Sequence, residues 1–233
     1  MKKVESLGTI APEGSQVPIF RYGRTEIDHL KRRDRKLGVA IDMIGLIERQ
    51  TRPDPFEALV MSVVAQQISN KAAAAIRGRL CALLEEIMPY RIAETDVSDM
   101  QKCGLSGRKA EYIRGVADAA VRGDVDFSRF DEMADAEIIE QLSSMRGIGV
   151  WTAEMLLIFS LCRPDVVSWG DQGIKRGMMK LYGLKELTRD QFDRYRKRYS
   201  PYGSVASLYL WALAGMQGAK AEQPGKTTTQ KKR

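Results

Sequence analysis

The residues able to do chemistry concentrate in Leu142–Gly183, LSSMRGIGVWTAEMLLIFSLCRPDVVSWGDQGIKRGMMKLYG. Gly147 and Gly149 flank Ile148 between two helical patterns. Glycine at both positions permits a tight turn and lets another backbone approach closely. Amides at the start of the following helix point outward and are electropositive, which suits a phosphate. A plain helix–turn–helix corner with no ligand meets the same pattern. Ile148, between the glycines, can anchor such a hairpin in a core. Further on, Asp171 opens a good helical pattern. It is either a simple N-cap or a functional carboxylate.

Other catalytic constellations find no material in the chain. His29 is the only histidine, so a Ser-His-Asp triad or a multi-histidine metal site has no basis. Cys81, Cys103 and Cys162 are widely spaced and form no CxxC pair. They cannot by themselves hold an iron–sulfur cluster or a four-cysteine zinc site, and isolated thiols indicate a reducing compartment. The N-terminal MKKVESLGTI lacks the apolar core of a signal peptide. No apolar run approaches the ~20 residues of a membrane span. The expectation is a soluble, cytoplasmic, membrane-free protein.

The elements that must position these residues read as helices almost throughout. Apolar Ile27, Leu30, Leu37, Ile41 and Ile44 fall at helical intervals from Thr25, and Pro53 and Pro55 break that segment. Asp54 caps the next helix, with Pro55 at its first position and Glu57 completing a capping box. Asn70 opens an alanine-rich helix to about Ile87. Further helices are expected over Gly107–Arg122, Ala136–Ser144, Gly149–Leu161, Asp171–Tyr182, Thr188–Tyr199 and Pro201–Ala214, with a second capping box at Thr188 and Gln191. No alternating run is long enough to build a sheet, so the class is all-α.

The GIGxWTA hairpin, followed about twenty residues on by an aspartate opening a helix, resembles the helix-hairpin-helix DNA glycosylases. More narrowly, it is similar to their 3-methyladenine DNA glycosylase II branch, which repairs alkylated bases. Asp54–Val60 leading to Gln66-Gln67-Ile68-Ser69, Gly104–Ala110 with Tyr112 and Ile113, and Ser200–Ala206 closing with Trp211 extend the resemblance over roughly residues 24 to 215. About fifty residues precede Asp54, too few for the sheet-containing N-terminal domain of the best-known bacterial members, so the resemblance is to a compact form.

That resemblance implies two helical lobes with a helix-hairpin-helix motif and a DNA-binding cleft between them. Residues 24–53 plus 163–219 would form a discontinuous terminal lobe, and 54–162 a central lobe with the hairpin at 136–162. Residues 1–23 would be an extension, and 220–233 a flexible basic tail. Asp171 would be the catalytic carboxylate. Trp151, Tyr202, Met155 and Trp169 would line the base pocket, where aromatic walls attract a cationic purine. Gly147, Ile148, Gly149, Thr152, Gln67, Ser69 and Lys175 would serve DNA binding, Gln67 as the wedge that fills the space of a flipped base. For Gln67, capping of the preceding helix is the alternative; for Lys175, a solvated helix face. Backbone carbonyls of Ser143, Met145 and Ile148 would hold a structural monovalent cation, with no other cofactor required.

Relatives that also nick DNA carry a lysine two residues after the second hairpin glycine; Trp151 stands there. The resemblance therefore implies a monofunctional glycosylase acting, as a monomer, on double-stranded DNA containing alkylated bases. Gly203 departs from relatives that have a larger basic residue at that position. A net charge of +7 agrees with a polyanionic partner, though five basic residues and one acid lie between Lys220 and Arg233 alone. Altered lesion choice (deaminated or etheno bases), a non-catalytic DNA-binding protein, and an all-α protein-interaction domain are the competing readings.

Overall fold

A computed structural model describes residues 18–216. The expected basic tail at 220–233 and most of the expected extension at 1–23 lie outside them. Twelve α-helices and one 3-10 turn at Phe127–Glu132 account for the described residues, and their β-structure is limited to one bridge between Ile19 and Gln50. The protein is all-α.

The first helical pattern is two helices, α1 (Arg24–Arg33) and α2 (Arg35–Ile44), where the periodicity alone reads as one. Asp34 makes the break. Its backbone is extended and its side chain accepts the Leu37 amide, which caps α2. The carboxylate is buried, yet Tyr182 Oη–H (2.6 Å) and Arg198 (3.0 Å) both donate to it. A short polar side chain that captures a backbone amide competes with helix continuation, and here tertiary donors secure the outcome.

Asp54 caps α3 (Pro55–Ala65) with Pro55 in the first turn, as expected. The capping box is only half formed, because the Glu57 carboxylate turns instead to Arg77 on α4 (Asn70–Leu84), at 2.7 Å. α4 stops three residues short of Ile87, where Glu85 adopts φ +61°. Two short helices, α5 (Pro89–Glu94) and α6 (Val97–Lys102), have no counterpart in the sequence reading; six residues are too few to show a period. α7 spans Gly107–Arg122 as expected, capped by Ser106 and ended by Gly123 in the left-handed region.

α8 (Asp135–Ser143) and α9 (Val150–Phe159) flank the glycine hairpin. α10 (Gln172–Tyr182) begins at Asp171, α11 (Arg189–Tyr199) opens on the complete Thr188–Gln191 box, and α12 (Gly203–Gly215) ends the described chain. Packing sorts the helices into two groups: α1 and α2 with α10–α12, and α3 and α4 with the helices through α9. One hydrophobic core runs through both, from Leu30 and Ile174 to Leu59 and Ile113. α10 and α12 approach so closely that a Cβ on Gly177 would lie 2.1 Å from the Leu210 carbonyl oxygen.

Candidate active site

Asp171 combines the cap and the carboxylate in one side chain. Its Oδ1 accepts the Ile174 amide at 2.8 Å, which starts α10. The same oxygen accepts Trp211 Nε1–H at 2.9 Å, and Oδ2 accepts Trp151 Nε1–H at 2.8 Å. Three N–H donors thus converge on a carboxylate only 7% exposed. Trp151, in the first turn of α9, is 45% exposed and forms the open wall of the site. Trp211 reaches Asp171 from α12 across Gly173, where a Cβ would sit 2.6 Å from the indole.

Trp211 joins the candidate site through its bond to Asp171, and the sequence marked it only as the end of a motif. α12 is buried over most of its length, so no polar face singles out one position. Among the expected pocket residues, Met155 lies one turn after Trp151 on α9 and is buried. Tyr202 and Trp169 make their aromatic contacts elsewhere. Tyr202 packs edge-on against His29, with ring centroids 5.2 Å apart. Trp169 packs against Phe192 at 5.0 Å, with Lys175 4.9 Å and Arg189 5.4 Å from its ring centre. Lys175 is therefore held over an aromatic ring, not on a freely solvated helix face.

Two other carboxylates are structural neighbours. Glu154 accepts the Ser168 hydroxyl, and burial pushes its pKa up, with Asp171 nearby adding to the rise. Asp165 accepts the Gly203 amide at 3.0 Å and the Ser200 hydroxyl. A Cβ on Gly203 would lie 2.7 Å from Asp165 Oδ1 and from Val167 Cγ2, which explains why no larger residue stands there.

The hairpin presents backbone, not side chains. Gly147 has φ +86°, and a Cβ there would lie 2.1 Å from the Tyr112 ring. Gly149 is the N-cap of α9 and offers no side-chain acceptor, so the first amides of that helix lack a capping side chain. Gly149 and Val150 are exposed, whereas Ile148 is buried as the anchor. Thr152 is buried too, so its hydroxyl is withdrawn from the surface that a phosphate would meet. The Met145 carbonyl accepts the Ile148 amide at 3.1 Å and closes the turn, whereas Ser143 ends α8 with its hydroxyl donating to the Glu140 carbonyl at 3.4 Å.

The expected wedge stands beside this hairpin. Gln67 is exposed at φ +56° in the turn between α3 and α4, and Gln66 Nε2–H donates to the Gly147 carbonyl at 3.2 Å. Ser69 caps α4, accepting the Ala72 amide at 3.2 Å.

The chain has clear relatives among known proteins. Residues 60–201 match the model of the HhH-GPD superfamily base excision DNA repair proteins. DNA-3-methyladenine glycosylase 1 of Schizosaccharomyces pombe is 34% identical over 165 residues, covering 69% of this chain and 72% of the relative. A crystal structure of DNA-3-methyladenine glycosidase from Bacillus halodurans superposes with a TM-score of 0.77 at 38% identity, covering 82% of this chain and 90% of that one. A 3-methyladenine DNA glycosylase of S. pombe, solved in complex with abasic DNA, gives 0.72 at 30% identity, with coverages of 81% and 95%. With its hairpin and carboxylate inside the matched span, the chain belongs to the HhH-GPD superfamily of base excision DNA repair proteins.

Proposed function

We propose that this protein is a monofunctional DNA glycosylase that hydrolyses the N-glycosidic bond of alkylated purines, of the 3-methyladenine and 7-methylguanine type, in duplex DNA. The observation that carries the reading is Asp171, buried and held by two indole N–H groups beside an exposed tryptophan wall. The names of the relatives support the substrate class.

In this mechanism the exposed amides opening α9 take a strand phosphate, and the damaged nucleotide leaves the stack at a cost of a few kcal/mol. Gln67 enters the vacated space. An N3- or N7-alkylated purine is cationic and departs neutral, so little general acid is required. Positive charge develops on the sugar instead, and Asp171 stabilises it and orients the attacking water. Trp151 occupies the place of a lyase lysine and offers no amine for a Schiff base. A monovalent cation on the carbonyls of Ser143, Met145 and Ile148 would brace the hairpin, and no step depends on it. The reading includes action as a monomer in the cytoplasm. Among the described residues no helix is long and apolar enough to cross a membrane.

The test is release of free base from methylated duplex DNA, with borohydride trapping alongside. Free methylated purine without a trapped adduct is the expected result. A trapped adduct overturns the monofunctional assignment, and duplex binding without release overturns the alkylpurine assignment.

Two variants probe the parts separately. Trp211→Phe keeps the ring that packs 5.5 Å from Phe159 and removes one donor to Asp171. Single-turnover base release is expected to fall about tenfold, the worth of a hydrogen bond to a charged group, with the far-ultraviolet circular dichroism unchanged. Gly147→Ala forces a Cβ into the Tyr112 ring at a positive φ. Its dissociation constant for duplex DNA, read by fluorescence anisotropy, is expected to rise by about tenfold or more.

A further inference from the structure

The turn carrying Gln67 and the glycine hairpin come from distant parts of the chain, and one face of α7 joins them. The half-buried Lys109 ammonium donates to the carbonyls of Val64 (2.8 Å) and Gln66 (2.7 Å) at the end of α3. Carbonyls at a helix C-terminus lack intrahelical donors, and a cation there also complements the helix dipole. Gln66 passes the connection on through its bond to the Gly147 carbonyl. One turn along α7, Tyr112 fills the space where a Gly147 Cβ would be, with Arg146 5.8 Å from its ring centre. The residue directly after this clamp is Gln67, exposed in a backbone conformation that L-residues rarely adopt.

We propose that Lys109 is a positioning residue: through the Val64 and Gln66 carbonyls it holds Gln67 at a set distance from the Gly147–Gly149 phosphate grip, so that strand capture and wedge insertion act together. The inference rests on the glycosylase reading and deepens it. Were Lys109 only a cap on α3, its loss would weaken folding and depress activity on every lesion alike. A positioning role gives a selective loss, because an unpaired lesion is cheaper to extrude and leans less on a wedge.

The experiment compares wild type, Lys109→Met, Gln67→Ala and the double variant in single-turnover release of 7-methylguanine. One substrate carries the lesion in a fully paired duplex, and the other carries it in a single-nucleotide bulge. A 2-aminopurine beside the lesion reports opening of the stack. Lys109→Met is expected to lose about tenfold on the paired substrate, the worth of its charged hydrogen bonds. Its loss on the bulge should stay below about threefold, since a lesion without a pairing partner costs less to extrude. The double variant should lose no more than the worse single one, the signature of residues acting as a unit. Equal losses on the two substrates, or fully additive losses, overturn the positioning role.

Gln67→Ala changes an exposed side chain, and it must show the same preference for the bulge; failure to do so overturns the proposal even if Lys109→Met does not fold. Wild-type protein that releases base from neither substrate overturns the glycosylase reading itself. Release by wild type from both, with indiscriminate losses in the variants, overturns the coupling of Lys109 to a Gln67 wedge and leaves the glycosylase reading standing.

Discussion

Asp171→Asn is expected to lower single-turnover base release by about a hundredfold or more, the scale of losing preorganised charge stabilisation, while duplex binding persists. The geometry separates the two jobs of this side chain. Its cap function uses Oδ1 and the Ile174 amide, and asparagine caps a helix about as well as aspartate, so α10 should still start where it does. What asparagine cannot supply is the negative charge or a second acceptor. With its oxygen kept toward Ile174 and Trp211, its amide hydrogens face Trp151 Nε1–H, donor against donor. The exposed indole is therefore expected to lose its anchor together with the charge. Release and affinity for an abasic-site duplex, measured on the same preparation, give the answer. Unchanged release would reduce Asp171 to a helix cap and move the chemistry elsewhere.

Gly177→Ala is expected to destabilise the fold by at least about 3 kcal/mol, an overpacking effect at the upper end of the usual range. The added Cβ would meet the Leu210 carbonyl oxygen at 2.1 Å, its carbon at 2.7 Å and its Cα at 2.9 Å. These are backbone atoms, so no side-chain rotation relieves the clash, and α10 and α12 must separate. Asp171 starts one of these helices and Trp211 lies on the other, so activity should fall along with stability. Urea denaturation measures the first effect and base release the second. Gly115→Ala supplies the control. Gly115 lies inside α7 with open space around it, and alanine there is expected to stabilise the protein by about 0.5–1 kcal/mol.

Local signals in the sequence were enough for much of the framework. α7 spans the expected Gly107–Arg122, Thr188 and Gln191 open α11, and the glycine pair marks the hairpin, because the signals for each lie within a few residues of it. What escaped depends on partners far along the chain. Asp34 divides a continuous periodic pattern with the help of Tyr182 and Arg198, and Glu57 leaves its capping box for Arg77. Asp171 and Trp151 could be singled out as candidates through the motif around them, whereas Trp211, the third member of the hydrogen-bonded cluster, could not. Trp211 sits in a helix that is apolar on nearly every side, and only the crossing of α10 with α12 aims its indole nitrogen at Asp171. Lys109 was likewise illegible: a lysine in a first helical turn looks like surface until the end of α3 is brought against it.

The carboxylate and its two indole donors are drawn from three different helices, α10, α9 and α12. In evolutionary terms the site is not a transferable cassette. A recombination breakpoint anywhere between Trp151 and Trp211 separates at least one donor from its acceptor or joins helices that have not co-adapted. A chimaera that takes residues 151–211 from one parent keeps the carboxylate together with both of its donors.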